Sequence, residues 1–124
     1  MNIKKAFQQF MIDNGYTDVF IGGAPDSPAA CWWILGGGGN SISKNTTGQK
    51  QKNYLLNIYY RDLNAENVDE KLQALEELMN KNECVDIGDY DIIETEATVF
   101  PTDQDIDNQE RTIGLIQITL TVYL

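Results

Sequence analysis

Histidine is absent from the 124 residues of this chain. Imidazole is the usual base of nucleophilic triads and a frequent ligand of transition metals, so Ser-His-Asp and Cys-His mechanisms and histidine-bearing metal sites are excluded. Positive charge is scarce too: nine Lys and Arg against 19 Asp and Glu leave a formal net charge of −10. Residues 83–110 contain ten acids and no lysine or arginine. A surface of that sign repels phosphate backbones, which argues against sequence-specific nucleic-acid binding and predicts one strongly negative face or edge. No apolar run approaches the ~20 residues of a membrane span. The N-terminal segment places Gln8, Gln9 and Asp13 among its apolar residues and reads as an amphipathic helix, not a signal peptide. The two cysteines, Cys31 and Cys84, match no metal or redox spacing and are expected as reduced thiols of a protein made in a cytoplasm.

What is present organises into one domain, since a chain of this length buries roughly two-thirds of its unfolded surface around a single core. Ile3, Ala6, Phe7, Phe10 and Met11 follow helical spacing, and Asn14-Gly15 supplies a stop, which predicts a helix over residues 3–14. Residues 19–21 read as a short strand before a Gly/Pro turn, and residues 29–35 (AACWWIL) as a buried strand that sends Trp32 and Trp33 to opposite faces. Residues 54–60 (YLLNIYY) form a strand apolar on both faces. A second helix starts near Asn64, with Val68, Leu72, Leu75, Leu78 and Met79 as its stripe. Residues 90–100 and 111–124 are strands around an acidic turn, the last with strict period-two alternation. The expected fold is α+β: a mainly antiparallel or mixed sheet of about five strands, two helices packed on one face, order α-β-β-β-α-β-β. The other sheet face then needs cover, and its aromatics and threonines point to self-association.

Residues 36–52 (GGGGNSISKNTTGQKQK) interrupt this pattern as a flexible Gly/Ser/Lys arm between two strand-like runs, with three lysines and no acid. Loops of this length inside small domains are uncommon and either serve a function or are slack. The glycines lack the ending of a P-loop and the spacing of a dinucleotide site, leaving a hinge as the plain reading. Lys44, Lys50 and Lys52 are too few for tight DNA binding, so they contact an acidic protein or merely keep a loop soluble. With Trp32 and Trp33 they are the candidate partner or oligomer contacts. Asp103, Asp105 and Asp107 imitate the opening of an EF-hand loop, but Asn108 and Gly114 stand where its glycine and bidentate glutamate belong. Glu94 with Glu96, and Asp89 with Asp91, are same-face carboxylate pairs of the kind used in acid–base work. Among 19 acids such pairs arise by chance, so no enzyme activity, metal or cofactor is expected.

The layout resembles the tail terminator and minor capsid, or head-tail joining, proteins of long-tailed bacteriophages. The resemblance covers essentially the full length. It rests on the helix ending Asp13-Asn14-Gly15-Tyr16, the strand at 18–21, the turn at 22–28 (GGAPDSP), the Cys31-Trp32-Trp33 strand, the long loop, and the strand at 54–61 leading into a helix. It implies a virion protein of the tail or neck: a homohexameric ring that caps the tail tube and meets a head-completion protein. DNA then passes through its channel without specific binding, along an acidic wall for which Asp103, Asp105, Asp107, Glu110, Glu94 and Glu96 are the candidates. By contour length a hairpin made from the insert reaches ~25–30 Å. A small adaptor that binds one acidic protein through residues 36–52 is the alternative, as is another neck or capsid completion protein.

Overall fold

The computed structural model describes residues 2–44, 50–81, 87–100 and 110–123. Helix α1 spans Ile3–Asp13 and opens on Asn2, whose side chain accepts the Lys5 N–H at 2.8 Å. Its end is a Schellman arrangement: Gly15, at φ +91°, donates to Ile12 O at 3.1 Å, and Tyr16 to Met11 O at 3.0 Å. Helix α2 spans Ala65–Met79, with the Asn64 side chain accepting from the Glu66 N–H at 2.9 Å. The strands are β1 (Val19–Ile21), β2 (Cys31–Lys44), β3 (Lys50–Asp62), β4 (Asp91–Phe100) and β5 (Thr112–Tyr123). The element order is the one expected, and the class is α+β.

One five-stranded mixed sheet runs in the order β1-β2-β3-β5-β4. β1 pairs parallel with β2, and the other three pairings are antiparallel. β3 and β4 therefore point the same way, joined through α2, with β5 inserted between them. Local hairpin logic identifies the β4–β5 pair but not this insertion, because the β3–β5 ladder joins residues about 50–70 positions apart in the chain.

Both helices lie on one face. Phe7, Met11, Leu72 and Leu75, all fully buried, join Trp32, Ile34, Leu56, Ile58, Ile116 and Ile118 in a single core cluster. Each such side chain, fully buried, contributes roughly 1.5–3 kcal/mol. The period-two alternation of β5 is complete, even-numbered residues from Thr112 to Val122 being buried and odd-numbered ones half-buried. Leu78, placed on the α2 stripe by spacing, packs at the margin of the core.

The stretch read as a pliant insert is largely strand. Residues 36–44 continue β2 and residues 50–52 open β3, and they pair with one another up to Lys44↔Lys50. Residues 45–49 lie outside the described residues. Gly36, at φ +85°, sits at a bulge where an added Cβ would come within 2.9 Å of Leu55 O. At Gly37, φ +89°, a Cβ would meet Ile3 and Lys4 of α1 at 3.1–3.2 Å. Here glycine permits close approach of a bent strand to its neighbours.

Candidate functional site

The sheet face away from the helices is the side that the two helices leave uncovered. Because strand side chains alternate, the registers line up Phe20, Trp33, Tyr59, Leu115 and Phe100 side by side across all five strands. Tyr59 stacks on Trp33 at 5.3 Å between centroids and 8° between planes. The next row holds Leu35, Asn57, Gln117 and Thr98, and beyond it come Leu55, Thr119 and Glu96, then Asn53, Thr121 and Glu94. The face thus grades from aromatic to polar and acidic. Leu35, Leu55 and Phe100 remain more than a third exposed. Asn57 Oδ1 lies buried there with no hydrogen-bond partner among the described residues, an omission that typically costs about 1–3 kcal/mol.

The aromatic end of this face is partly roofed by the connection between β1 and β2. Arg61, only 5 % exposed, donates from Nε to Ala29 O at 3.0 Å and from one terminal nitrogen to Pro25 O at 2.7 Å and Pro28 O at 2.8 Å. Its guanidinium carbon lies 5.8 Å from the Trp33 ring centroid. Arg111, equally buried, donates to Asp26 O at 2.7 Å. Two buried cations, one on β3 and one just before β5, thus fasten residues 22–30 to the sheet through main-chain carbonyls. Cys31 lies beside them, its thiol pushed up by burial against the opposing pull of Arg61 and Arg111. Being buried and protonated, it is a packing residue. Cys84 falls outside the described residues.

The residues singled out from the sequence separate. Trp32 is a core residue, 3 % exposed, held edge-on by Tyr16 at 5.3 Å and against Tyr60 at 4.5 Å. Trp33 takes the opposite face, as alternation requires. Lys44 closes β2 opposite Lys50, which opens β3, and Lys52 Nζ lies 4.9 Å from the centre of the Tyr54 ring. Glu94 and Glu96 are exposed neighbours on β4. Glu110, exposed at φ +61° just before β5, stands at the other end of the sheet. Asp103, Asp105 and Asp107 fall outside the described residues. The structure therefore joins Glu94 with Glu96 and leaves Glu110 apart from them.

On the helix side, a concavity of about 520 Å³ opens between the end of α1 and α2, floored by Trp32 and Tyr60 and rimmed by Asp18, Lys71 and Lys81. Burial raises the Tyr60 phenol well above its ordinary value, helped by its 2.8 Å hydrogen bond to Asp62. Burial also raises Tyr16. Such groups stay neutral at physiological pH and act as packing and donor groups. Sequence reasoning missed Arg61 and Arg111, because a charged residue at a strand end ordinarily marks solvent.

Among the described residues, no three His, Cys, Asp or Glu side chains converge on one point, and no helix is long and apolar enough to cross a membrane. The arrangement is a broad, partly apolar sheet face with a fastened loop at one end and the Lys44↔Lys50 end of the β2–β3 ladder at the other. No curated protein matches the chain. The family model described as bacteriophage tail terminator protein matches residues 10–124, nearly the whole chain, from within α1 to the end of β5. That span takes in every strand and both faces just described, and on it the chain belongs to the bacteriophage tail terminator family, structural proteins of the phage tail.

Proposed function

We propose that this protein assembles into a homohexameric ring that caps the tail tube and joins it to the head-completion complex. The observation that carries this reading is family membership over nearly the full chain. The open sheet face supports it physically: a five-stranded sheet with helices on one side only offers an apolar and aromatic surface of the kind that subunit contacts cover. In this reading Trp33 lies next to a subunit contact, while Lys44, Lys50 and Lys52 meet an acidic surface of a neighbouring copy or of the tube. Glu94 and Glu96, together with the acids of residues 103–110, make a channel wall along which DNA slides without adhering. The role is mechanical, with no catalysis, and the place of action is the virion tail or neck.

Light scattering on the purified chain, alone and with tube subunits, tests the reading. A concentration-stable species of about six subunits that halts tube growth supports it. A strict monomer under all these conditions overturns it. A salt-sensitive one-to-one complex of that monomer would instead mark an adaptor.

A further inference from the structure

The β2–β3 hairpin runs on beyond both helices. α1 starts over Gly37, where an added Cβ would meet Ile3 and Lys4 at 3.1–3.2 Å, and runs toward Trp32, against which Tyr16 stands edge-on. α2 ends at the row of Tyr54: Met79 O accepts from Thr95 Oγ1, and Thr95 shares that row through Leu120. The hairpin continues to the Lys44↔Lys50 rung, past the end of β5. Its last rungs therefore have no helix of the described residues over their helix-side face.

Charge divides between the two sides of the sheet. β3 alternates without a bulge, so Lys50 and Lys52 share the helix side with Leu56 and Ile58, and Lys44 joins them as the rung partner of Lys50. Lys4 and Lys5 lie in the first turn of α1, which holds no acid, and Lys71 and Lys81 rim the concavity beside α2. Every lysine of the chain is thus on the helix side, while both arginines are buried. On the opposite face, the exposed charges that the strands carry among the described residues are Asp91, Glu94 and Glu96.

We propose that the hairpin end of one protomer lies, helix side down, across the open sheet face of the next, over the rows of Thr119 and Thr121, where its lysines meet Glu94 and Glu96. The proposal rests on the oligomeric reading above and names the surfaces in contact. A second copy is the occupant because the two halves are complementary in sign and stand on opposite faces of one chain, so no protomer brings them together by itself. Lys44 directly opposite Lys50 is a repelling cross-strand pair that an acidic surface laid over it relieves. Leu35 and Leu55, both more than a third exposed on the open face, gain apolar cover from the same contact. β4 is the last strand of the sheet, so its glutamates border the channel at the edge while the neighbour's hairpin lies over β5 and β3 beside them. A contact between two different surfaces is head-to-tail, the kind that closes into a ring when its rotation permits.

Sedimentation of charge-reversed full-length chains tests the contact. Glu94→Lys with Glu96→Lys makes one variant, and Lys50→Glu with Lys52→Glu another. Each alone sets like charges against each other and is expected to raise the subunit Kd about tenfold or more at low salt. Mixed in equal amounts they are expected to assemble again as alternating copies, every hairpin then meeting a face of opposite sign. The uncharged variant Glu94→Gln with Glu96→Gln keeps the side-chain shapes and is expected to assemble with little dependence on salt. A charge-reversed variant that assembles like wild type, two folded variants that stay apart when mixed, or an uncharged variant as salt-sensitive as wild type overturns the contact and leaves the oligomer standing. A hairpin variant that assembles normally but no longer holds tube subunits places the lysines on the tube and overturns it too. A wild type that never assembles overturns the oligomeric reading and this contact with it.

Discussion

Asn80, just past the end of α2, and Ala97, in the middle of β4, exchange a pair of hydrogen bonds: the Asn80 amide donates to Ala97 O at 3.2 Å and its oxygen accepts the Ala97 N–H at 3.1 Å. A carboxamide carries the same donor–acceptor pair as a peptide group, so Asn80 occupies the edge as a one-residue substitute strand. Thr95 Oγ1, bonded to Met79 O, and Glu76, bonded to Val99 N–H, extend the attachment along the edge. This contact fixes the end of α2 against the sheet and keeps that stretch of β4 from recruiting another chain.

Asn80→Ala is therefore expected to destabilise the fold by about 1–3 kcal/mol, two partly buried hydrogen bonds at roughly half to one and a half each. Urea denaturation measures the loss. Exchange at Ala97 should rise by more than exchange at Leu56, since the edge opens locally while the core does not.

Arg61 holds three carbonyl oxygens of residues 22–30 from a buried position. Arg61→Met leaves those carbonyls without their charged donor and is expected to cost about 2–3 kcal/mol. Arg61→Lys should recover only part of this, because an ammonium lacks the planar fork that reaches several acceptors at once. Tryptophan fluorescence reports the change, as releasing the loop alters the surroundings of Trp33.

Gly36→Ala places a Cβ at φ +85° and 2.9 Å from Leu55 O. The left-handed backbone alone costs about 1–2 kcal/mol, and the collision with main chain adds to it, so a total above about 2 kcal/mol is expected. Gly15→Ala, at φ +91° with nothing within 4 Å of the added Cβ, should cost only the conformational part. Thermal unfolding of the two variants side by side separates steric from conformational cost.

Alkaline pH should weaken the fold through Tyr60 and Tyr16. Burial holds both phenols above their ordinary value, and for Tyr60 the Asp62 carboxylate adds to the effect. The folded state therefore keeps these protons more tightly than the unfolded state, whose phenols titrate near pH ~10. The stability this contributes is complete below about pH 10 and is lost as pH rises through the folded value. Urea midpoints followed from neutral to strongly alkaline pH should fall above about pH 10, and Tyr60→Phe should flatten that fall.

Much of this molecule is determined by residue order alone. Helical spacing from Ile3 to Met11 and from Val68 to Met79, the Asn caps, and the strict alternation from Ile116 to Val122 are local patterns in which each residue's polarity sets its own face. Together they give the α+β class, the element order and the opposite facing of Trp32 and Trp33. Local pattern also fails in identifiable places. Residues 36–44 are glycine- and serine-rich, so their strand state is not encoded in side-chain periodicity. It follows from pairing with residues 50–56, of which 51–56 already have β5 on their other side. Arg61 and Arg111 look like solvated strand ends and become buried only because residues 22–30 return across the sheet and offer them carbonyls. The placement of β5 between β3 and β4 and the bonding of Ala97 by Asn80 join residues distant in sequence. Such contacts depend on which surfaces remain unpaired once the core has formed, and only the tertiary structure decides that.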